Sequence, residues 1–210
     1  LNINAYFSEK HSSTKATSAN RRLTVFKRYY RWLLRERKIN ADPTLKIQAA
    51  KQALRIPKTM TEMQVEALLA APNTDTPLGL RDRAMLELMY ASGLRVSELV
   101  TLKTVNLGLD EGALRVTGKG DKTRIVPVGR FAREAVMAWL AIRAESADAG
   151  EQALFVSNRG TRISPRTIQN RVRYWAQRAG LPRRVYPHLF RHSFATHLLQ
   201  SGYDIRTVQE

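Results

Sequence analysis

Three of the four histidines in the chain fall within ten residues, in the stretch HLFRHSFATH at residues 188 to 197. His188 and His192 are four residues apart, a spacing at which a helix could present both to a metal ion. A metal pair needs a third ligand, however, and the neighbouring residues include no carboxylate. We therefore expect no metal site here, and we expect His192 and His197 to be packing or hydrogen-bonding residues. The pair of interest is His188 with Arg191, three residues apart on one helix face.

Two other stretches carry basic residues where the backbone turns. SGLRVSEL, residues 92 to 99, places Arg95 just after a glycine break between two predicted helices. GKGDKTR places Lys119 at the tip of a predicted hairpin, between two glycines that let the backbone approach another molecule closely. Two arginines, a lysine and a histidine suit the transition state of a phosphodiester, because guanidiniums hold non-bridging oxygens while lysine and histidine can move protons. Each residue taken alone has a simpler explanation, such as a surface Arg95–Glu98 ion pair.

Net charge indicates the class of partner. The chain has 35 Lys and Arg against 18 Asp and Glu, a formal charge of +17, and the first 60 residues alone carry 14 basic and 3 acidic residues. Such an excess of basic residues indicates that the binding partner is a polyanion, and nucleic acid is favoured over an anionic membrane. No apolar run reaches the roughly 20 residues that span a bilayer. The absence of cysteine excludes disulfides and thiolate sites and fits a reducing cytoplasm.

The first part of the chain, residues 1–52, is predicted to be a partial helical DNA-binding domain. Residues 17 to 37 predict one amphipathic helix, with the end of an earlier helix at 2 to 10 and a further short helix at 44 to 52. The basic residues that we expect to bind DNA all lie on the long helix: Arg21, Lys27, Arg28 and Arg31. A linker is predicted at 53–60, where Pro57 argues against a continuous helix.

Residues 61–210 predict a second domain that is mainly α with a small antiparallel β-sheet. Thr61 and Gln64 have the spacing of a capping box, and Ser164-Pro165 is an N-cap followed by a helix-opening proline. The remaining predicted elements are helices at 81–93, 94–102, 131–146, 165–179 and from Pro187 to near Gly202, a β-hairpin at 113–128 and a short strand at 154–157.

Three motifs in order, GLRVSEL, TGKGDKTRIVPV and PHLFRHSFATHLL, follow the basic segment KATSANRRLTVFKRYYRWL. Together they resemble the tyrosine recombinase family, most closely the bacterial XerC/XerD-type recombinases that resolve chromosome dimers. The resemblance implies a two-domain C-shaped clamp around duplex DNA at a specific recombination site. In this clamp residues 61–210 would be the catalytic domain, incomplete at its C-terminus. The resemblance also implies a tyrosine that forms a 3′-phosphotyrosyl intermediate without metal or other cofactor. The implied partners are other recombinase subunits, in a tetramer on DNA, and a DNA translocase regulator, all in the cytoplasm.

The resemblance also implies a role for each candidate residue. Arg95 and Arg191 would stabilise the charged transition state, and Glu98 would hold Arg95 in place. Lys119 would protonate the leaving 5′-oxygen, and His188 would assist proton transfer at the tyrosine and bond the phosphate.

The family places its nucleophile further along the chain than any tyrosine found here. Tyr203 follows the His-x-x-Arg motif too closely to match it, and the chain stops at Glu210, 19 residues after Arg191. We therefore expect a chain truncated at both ends, with the nucleophile beyond residue 210, that binds DNA but does not cut it. The alternatives are a phage or mobile-element integrase of the same fold, a DNA-binding module without catalysis and, disfavoured by the missing carboxylate cluster, a metal-dependent nuclease.

Overall fold

Helices and one small sheet make up the computed structural model, which describes residues 3–11, 14–51, 59–118, 120–182 and 185–201. The chain divides into two units, Leu1–Pro57 and Lys58–Glu210. Most of the predicted linker, and Lys119, lie outside the described residues. None of the helices in the described ranges is both long enough and apolar enough to cross a membrane.

Over its described residues, the first unit contains two helices, α1 (Ile3–His11) and α2 (Ala16–Arg35). Leu23 is buried on the apolar face of α2, and the Phe26 ring packs against Tyr6 and Phe7 of α1 with centroid distances of 5.7 and 5.5 Å. The long amphipathic helix and the helix before it are therefore confirmed.

The predicted short helix at 44 to 52 is wrong over its described residues, 44 to 51, which form a turn followed by chain without regular secondary structure. Side chains here take the place of helical hydrogen bonds. Asp42 Oδ1 accepts from the Thr44 backbone N–H at 2.8 Å and from its hydroxyl at 2.6 Å. The Asn20 amide pairs with the backbone of Ala50 in both directions, at 2.9 and 2.8 Å. The second pair of bonds ties the end of the segment to α2.

The second unit contains six helices in its described ranges: α3 (Glu62–Ala70), α4 (Pro77–Ala91), α5 (Val96–Thr101), α6 (Arg130–Ser146), α7 (Pro165–Arg178) and α8 (Pro187–Gln200). A short 3-10 helix at Thr104–Asn106 precedes a three-stranded antiparallel sheet, β1 (Leu107–Gly108), β2 (Ala113–Thr117) and β3 (Thr123–Pro127). The predicted hairpin is confirmed, with Leu114 paired to Val126 and Val116 to Arg124. The mainly α class with a small antiparallel sheet is likewise confirmed.

Local capping signals in this unit have their expected geometry. Thr61 and Gln64 form both hydrogen bonds of a capping box at 3.2 Å, and the Ser164 hydroxyl accepts from the Thr167 N–H at 3.0 Å. Each signal involves residues three apart, so the short-range pattern alone determines where the helix begins.

The predicted strand at 154–157 is wrong, because only isolated bridges form, at Ala153 and at Val156. Side chains occupy carbonyls that a ladder would need: Trp139 Nε1 donates to the Leu154 oxygen at 2.9 Å, and Arg81 Nη1 to the Val156 oxygen at 3.0 Å. The backbone bonds of this buried segment go to different parts of the chain, from the Leu154 N–H to the Leu102 carbonyl and from the Ile163 N–H to the Phe155 carbonyl, so no continuous ladder forms.

The core of the second unit lies around α4, which packs against α6 and α8. Met60, within the range predicted as linker, is buried in this core. Its backbone N–H donates to Ser193 Oγ at 2.9 Å, and its carbonyl bonds His197 Nε2 at the same distance. The chain is therefore held by α8 just before α3 begins. The largest fully buried side chains are Trp139, Phe155, Phe190, Met60, Leu68, Met85, Leu88 and Met89.

Candidate functional site

Arg95 is positioned by the turn between α4 and α5. Gly93 has φ +53°, a left-handed conformation that glycine adopts without strain, and Arg95 follows as the N-cap of α5. The Glu98 carboxylate reaches back to that cap. Its Oε2 accepts from the Arg95 backbone N–H at 2.8 Å, and its Oε1 accepts from Arg95 Nη1 at 2.9 Å. Glu98 is 3% exposed, whereas the Arg95 side chain is 59% exposed.

Arg191 reaches the same turn from α8. Its Nη1 donates to the Gly93 carbonyl oxygen and lies 4.0 Å from Glu98 Oε2. The side chain is 30% exposed. The structure therefore brings together Arg95, Glu98 and Arg191, although almost one hundred residues separate the first from the last.

A third guanidinium, Arg124 on β3, was not among the residues predicted from the sequence. Its Nη1 and Nη2 donate to Glu98 Oε1 and Oε2 at 3.0 and 3.1 Å, a two-pronged bond to one carboxylate. The alternating pattern of β3 could have indicated Arg124 from the sequence. Alternation on β3 puts Arg124 on the same face as the buried Val126, and a charged residue on the core face of a strand requires a partner.

Charge in this cluster is unbalanced, with three guanidiniums around one carboxylate. Burial alone would raise the pKa of Glu98, but hydrogen bonds from Arg124 and Arg95 outweigh it and hold the pKa below its usual 4.5. Burial, followed by repulsion from Arg95, lowers the pKa of Arg191, although a guanidinium remains charged at any physiological pH. The cluster thus keeps an excess positive charge, with N–H groups of Arg95 and Arg191 accessible to solvent. Such a site favours a tetrahedral oxyanion with several acceptor oxygens, such as a phosphate.

His188 and Lys119 were the other two predicted members of this site. His188 is the second residue of α8, one turn before Arg191, and its ring is exposed and forms no hydrogen bond within the described chain. Lys119 is outside the described residues. Its neighbour Gly118 adjoins the cluster, since a Cβ built there would lie 3.6 Å from Glu98 Oε1.

The remaining histidines of the opening motif differ in burial. His197 is buried, and both ring nitrogens are engaged, Nδ1 with the Tyr90 hydroxyl and Nε2 with the Met60 carbonyl, each at 2.9 Å. A carbonyl can only accept, so Nε2 carries the proton. His192 is half-buried. Among the described residues no group of three or more histidine or carboxylate side chains could hold a metal ion.

The predicted DNA-binding residues lie on α2. Arg21, Arg28 and Arg31 are exposed, and Lys27 is half-buried. The spacing of i, i+7 and i+10 places the three arginines in one stripe, with Arg35 continuing it. A stripe of guanidiniums at helical spacing suits a row of phosphates.

A groove of about 560 Å³ beside α3, α4 and the start of α6 has a different character. Its lining includes three carboxylates, Glu62, Glu66 and Glu87, next to apolar side chains such as Val65 and Phe131. Arg83 and Arg130 also line the groove, and Arg83 pairs with Glu87 at 2.7 Å, so the groove has no excess of positive charge. The cluster at Glu98, with three guanidiniums around one carboxylate, suits a phosphate better and is the candidate site.

Comparison with known proteins identifies the family of this chain. Residues 58–210 match the model of the phage integrase family. The tyrosine recombinase XerD of Ralstonia nicotianae is 51% identical over an alignment of 213 positions that covers 100% of this chain and 69% of the relative. The tyrosine recombinase XerC of Pelotomaculum thermopropionicum is 43% identical over 208 residues, 96% of this chain and 68% of the relative.

Solved structures show the same fold. XerH bound to a palindromic difH substrate superposes with a TM-score of 0.83 at 22% identity, covering 99% of this chain and 63% of that one. XerA recombinase matches with a TM-score of 0.67 at 29% identity, and the match covers 88% of this chain and 70% of the XerA chain. The chain therefore belongs to the phage integrase family and is a site-specific tyrosine recombinase of the Xer type, a family whose enzymes break and rejoin DNA strands.

Proposed function

We propose that Arg95 and Arg191 hold the scissile phosphate of duplex DNA and stabilise the transition state of strand cleavage. The observation that carries this proposal is the convergence of both guanidiniums on Glu98, with their outer N–H groups open to solvent. A carboxylate that is almost fully buried holds the two arginines in place before substrate arrives. Donors preorganised in this way stabilise developing charge without reorganising during the reaction.

Proton transfers in the proposed reaction fall to two other residues. His188 bonds the phosphate and assists removal of the nucleophile's proton, since it extends from α8 one turn before Arg191. Lys119 protonates the leaving 5′-oxygen. The nucleophile is a tyrosine that forms a 3′-phosphotyrosyl intermediate. In the described ranges no tyrosine hydroxyl hydrogen-bonds to Arg95, Arg124 or Arg191, so none of those tyrosines is assigned this role.

The substrate of the proposed reaction is a specific recombination site in double-stranded DNA, bound by several recombinase subunits at once. In support, solved structures of the same fold include XerH on its difH substrate and a lambda integrase tetramer on a Holliday junction. Residues 1–52 act as the DNA-binding domain through the arginine stripe of α2, and residues 61–210 carry the catalytic groups. The biological role is chromosome dimer resolution in the cytoplasm at cell division, under a DNA translocase that acts as regulator.

The integrase alternative has less support. Lambda integrase bound to a core site superposes with a TM-score of 0.77, but at 20% identity this likeness shows the fold alone. Relatives with 42–51% identity include XerC and XerD proteins. The remaining alternative is a DNA-binding module without catalysis. A recombinase forms a covalent protein–DNA adduct, and such a module does not.

The test uses a graft in which residues 1–210 replace the matching segment of the Ralstonia XerD relative, which makes the assay independent of where this chain begins and ends. The graft is incubated in EDTA with nicked suicide DNA carrying the relative's site and is resolved by denaturing electrophoresis. We expect a covalent adduct from the graft and from its Arg115→Ala variant, which loses an exposed arginine of β2, and none from Arg95→Ala. If the relative forms an adduct and the graft does not, the proposed function is wrong.

A further inference from the structure

Arg124 is arranged differently from the two arginines that face solvent. Both of its terminal nitrogens are directed at Glu98, at 3.0 and 3.1 Å, and its side chain is 24% exposed. Arg95, by contrast, bonds the same carboxylate through one terminal nitrogen and is 59% exposed. The fork of Arg124 is therefore already occupied by a protein anion, which leaves it poorly placed to hold a substrate phosphate.

Arg124 also joins two elements that are distant in sequence. It lies on β3, opposite Val116 of β2, and its partner Glu98 lies on α5. Gly118, just after the end of β2, lies next to this ion pair: a Cβ at Gly118 would be 3.5 Å from Arg124 Nη1 and 3.6 Å from Glu98 Oε1. The Gly118 N–H in turn donates to the Lys122 carbonyl at 2.8 Å, which closes the described end of the hairpin.

We propose that Arg124 is a positioning residue that fastens the β2–β3 hairpin to the arginine pair through Glu98. It has no substrate contact of its own. Its two hydrogen bonds fix the plane of the Glu98 carboxylate, and the carboxylate in turn fixes the direction in which Arg95 presents its free N–H groups. Arg191 lies beside the same carboxylate, 4.0 Å from Oε2, and is held by its bond to the Gly93 carbonyl. The proposal rests on the proposed function, in which those two arginines hold the phosphate.

The fork geometry matters here as well as the charge. Oε1 and Oε2 each accept one bond from Arg124, so the carboxylate cannot rotate about its terminal torsion without breaking one of them. That torsion is otherwise soft. A lysine at position 124 would supply the charge as a single point and could not restrain both oxygens at once. Arg124→Lys therefore removes the restraint on rotation of the Glu98 carboxylate but keeps the net charge of the cluster unchanged.

The kinetic experiment compares Arg124→Lys with Arg115→Lys in the graft on suicide DNA. Arg115 is on the neighbouring strand but faces outward, so it is a matched control. We expect Arg124→Lys to slow single-turnover adduct formation on the order of 100-fold, the usual effect of misplacing a catalytic group by about 1 Å, with an unchanged Kd for DNA. Arg115→Lys should leave both unchanged. A parental rate in Arg124→Lys, or a loss confined to Kd, overturns the proposal.

A double-mutant cycle tests whether Arg124 acts through Glu98. In a Glu98→Gln background the carboxylate is gone, so adding Arg124→Lys should slow the reaction no further. If the two rate losses multiply instead, Arg124 acts independently of Glu98 and the proposed coupling is wrong.

An NMR measurement on the chain itself separates this proposal from the proposed function, because it needs no cleavage. The side-chain Nε–H signal of Arg95, assigned with Arg95→Lys, should shift in Arg124→Lys and stay in place in Arg115→Lys. An unmoved Arg95 signal overturns the positioning role even if the graft cleaves DNA. A shifted signal supports the role even if no adduct forms, a result that would count against the proposed function alone.

Discussion

Replacing Glu98 by glutamine should destabilise the second unit substantially, although the two side chains have nearly the same shape. Glu98 accepts two bonds from Arg95 and two from Arg124, at 2.8 to 3.1 Å, and lies 4.0 Å from Arg191. A glutamine retains one acceptor oxygen and turns an NH₂ donor toward guanidinium donors. Two bonds are lost, and three positive charges are left without their counter-ion.

The size of the effect follows from burial. Removing one partner of a buried ion pair typically costs about 3–5 kcal/mol, because the remaining charge is left uncompensated. The three guanidiniums are between 24% and 59% exposed, so water compensates part of this loss. We therefore expect the lower limit, about 3 kcal/mol, which corresponds to a fall in Tm of about 6–12 °C for a chain of this length.

Urea denaturation followed by the fluorescence of Trp139 and Trp175 measures this change in the second unit, in a Trp32→Phe background. The matched control is Glu134→Gln on α6, where the Arg130–Glu134 pair is exposed and 3.9 Å long. An exposed pair of this kind contributes at most about 1 kcal/mol. If Glu98→Gln unfolds at the same urea concentration as Glu134→Gln, the carboxylate does not hold the cluster together and the reasoning fails.

The same pair of proteins gives a pH test. The folded-state pKa of Glu98 is below its usual 4.5, so its stabilising contribution is complete above about pH 4.5 and disappears as the pH falls through the lower folded value. The stability difference between the parent and Glu98→Gln should therefore be constant near neutral pH and shrink below pH 4.5. A difference that grows on acidification would mean that Glu98 is held protonated.

Three further outcomes follow from the site and from α2. Gly93→Ala should destabilise the second unit by about 1–3 kcal/mol in urea denaturation, because φ is +53° and a Cβ would lie 2.6 Å from the Phe194 ring. Arg28→Ala and Arg31→Ala should each weaken binding to many DNA sequences alike in gel shifts and reduce the log Kd against log salt slope by about 0.9. Arg191→Ala in the graft should lower the rate of covalent adduct formation by about 10²–10³ or more, with nearly unchanged DNA affinity.

Each of these outcomes has a control in the same chain. Gly129→Ala, with no atom within 4 Å of the new Cβ, should be nearly neutral beside Gly93→Ala, and equal losses would remove the steric argument. Loss of affinity for a single DNA sequence in Arg28→Ala would indicate base contact instead of phosphate contact. Near-parental cleavage in Arg191→Ala would exclude Arg191 from the proposed site. Arg115→Ala is the control here, because it shows how far the rate changes when an exposed arginine outside the site is removed.

The sequence by itself determined whatever depends on neighbouring residues. The amphipathic pattern of α2, the Thr61–Gln64 capping box, the Ser164 cap and the alternation of the hairpin each involve residues a few positions apart. Their hydrogen bonds form within one element, so the pattern suffices. The same holds for Arg95 and Glu98, which pair at i,i+3.

Only the tertiary structure decided where competing long-range bonds replace local ones. The helix expected at 44 to 52 is absent over its described part because Asn20, some 30 residues earlier, binds both the backbone N–H and the carbonyl of Ala50. The strand expected at 154–157 is absent because Trp139 and other side chains occupy its carbonyls. Met60 belongs to the core because α8 binds its backbone from 133 residues away. Local pattern carries no information about such partners.

The candidate site divides in the same way. Residue type and motif spacing in the sequence identified Arg95, Glu98 and Arg191 singly. Their meeting around one buried carboxylate depends on α8 packing against the α4–α5 turn, where Gly93 accepts from Arg191. Arg124 joins them because the hairpin folds back over α5 and places a core-facing guanidinium on Glu98. A buried charge needs a partner, but the sequence does not state which one, since only packing brings residues 26 and 93 positions away to the same carboxylate.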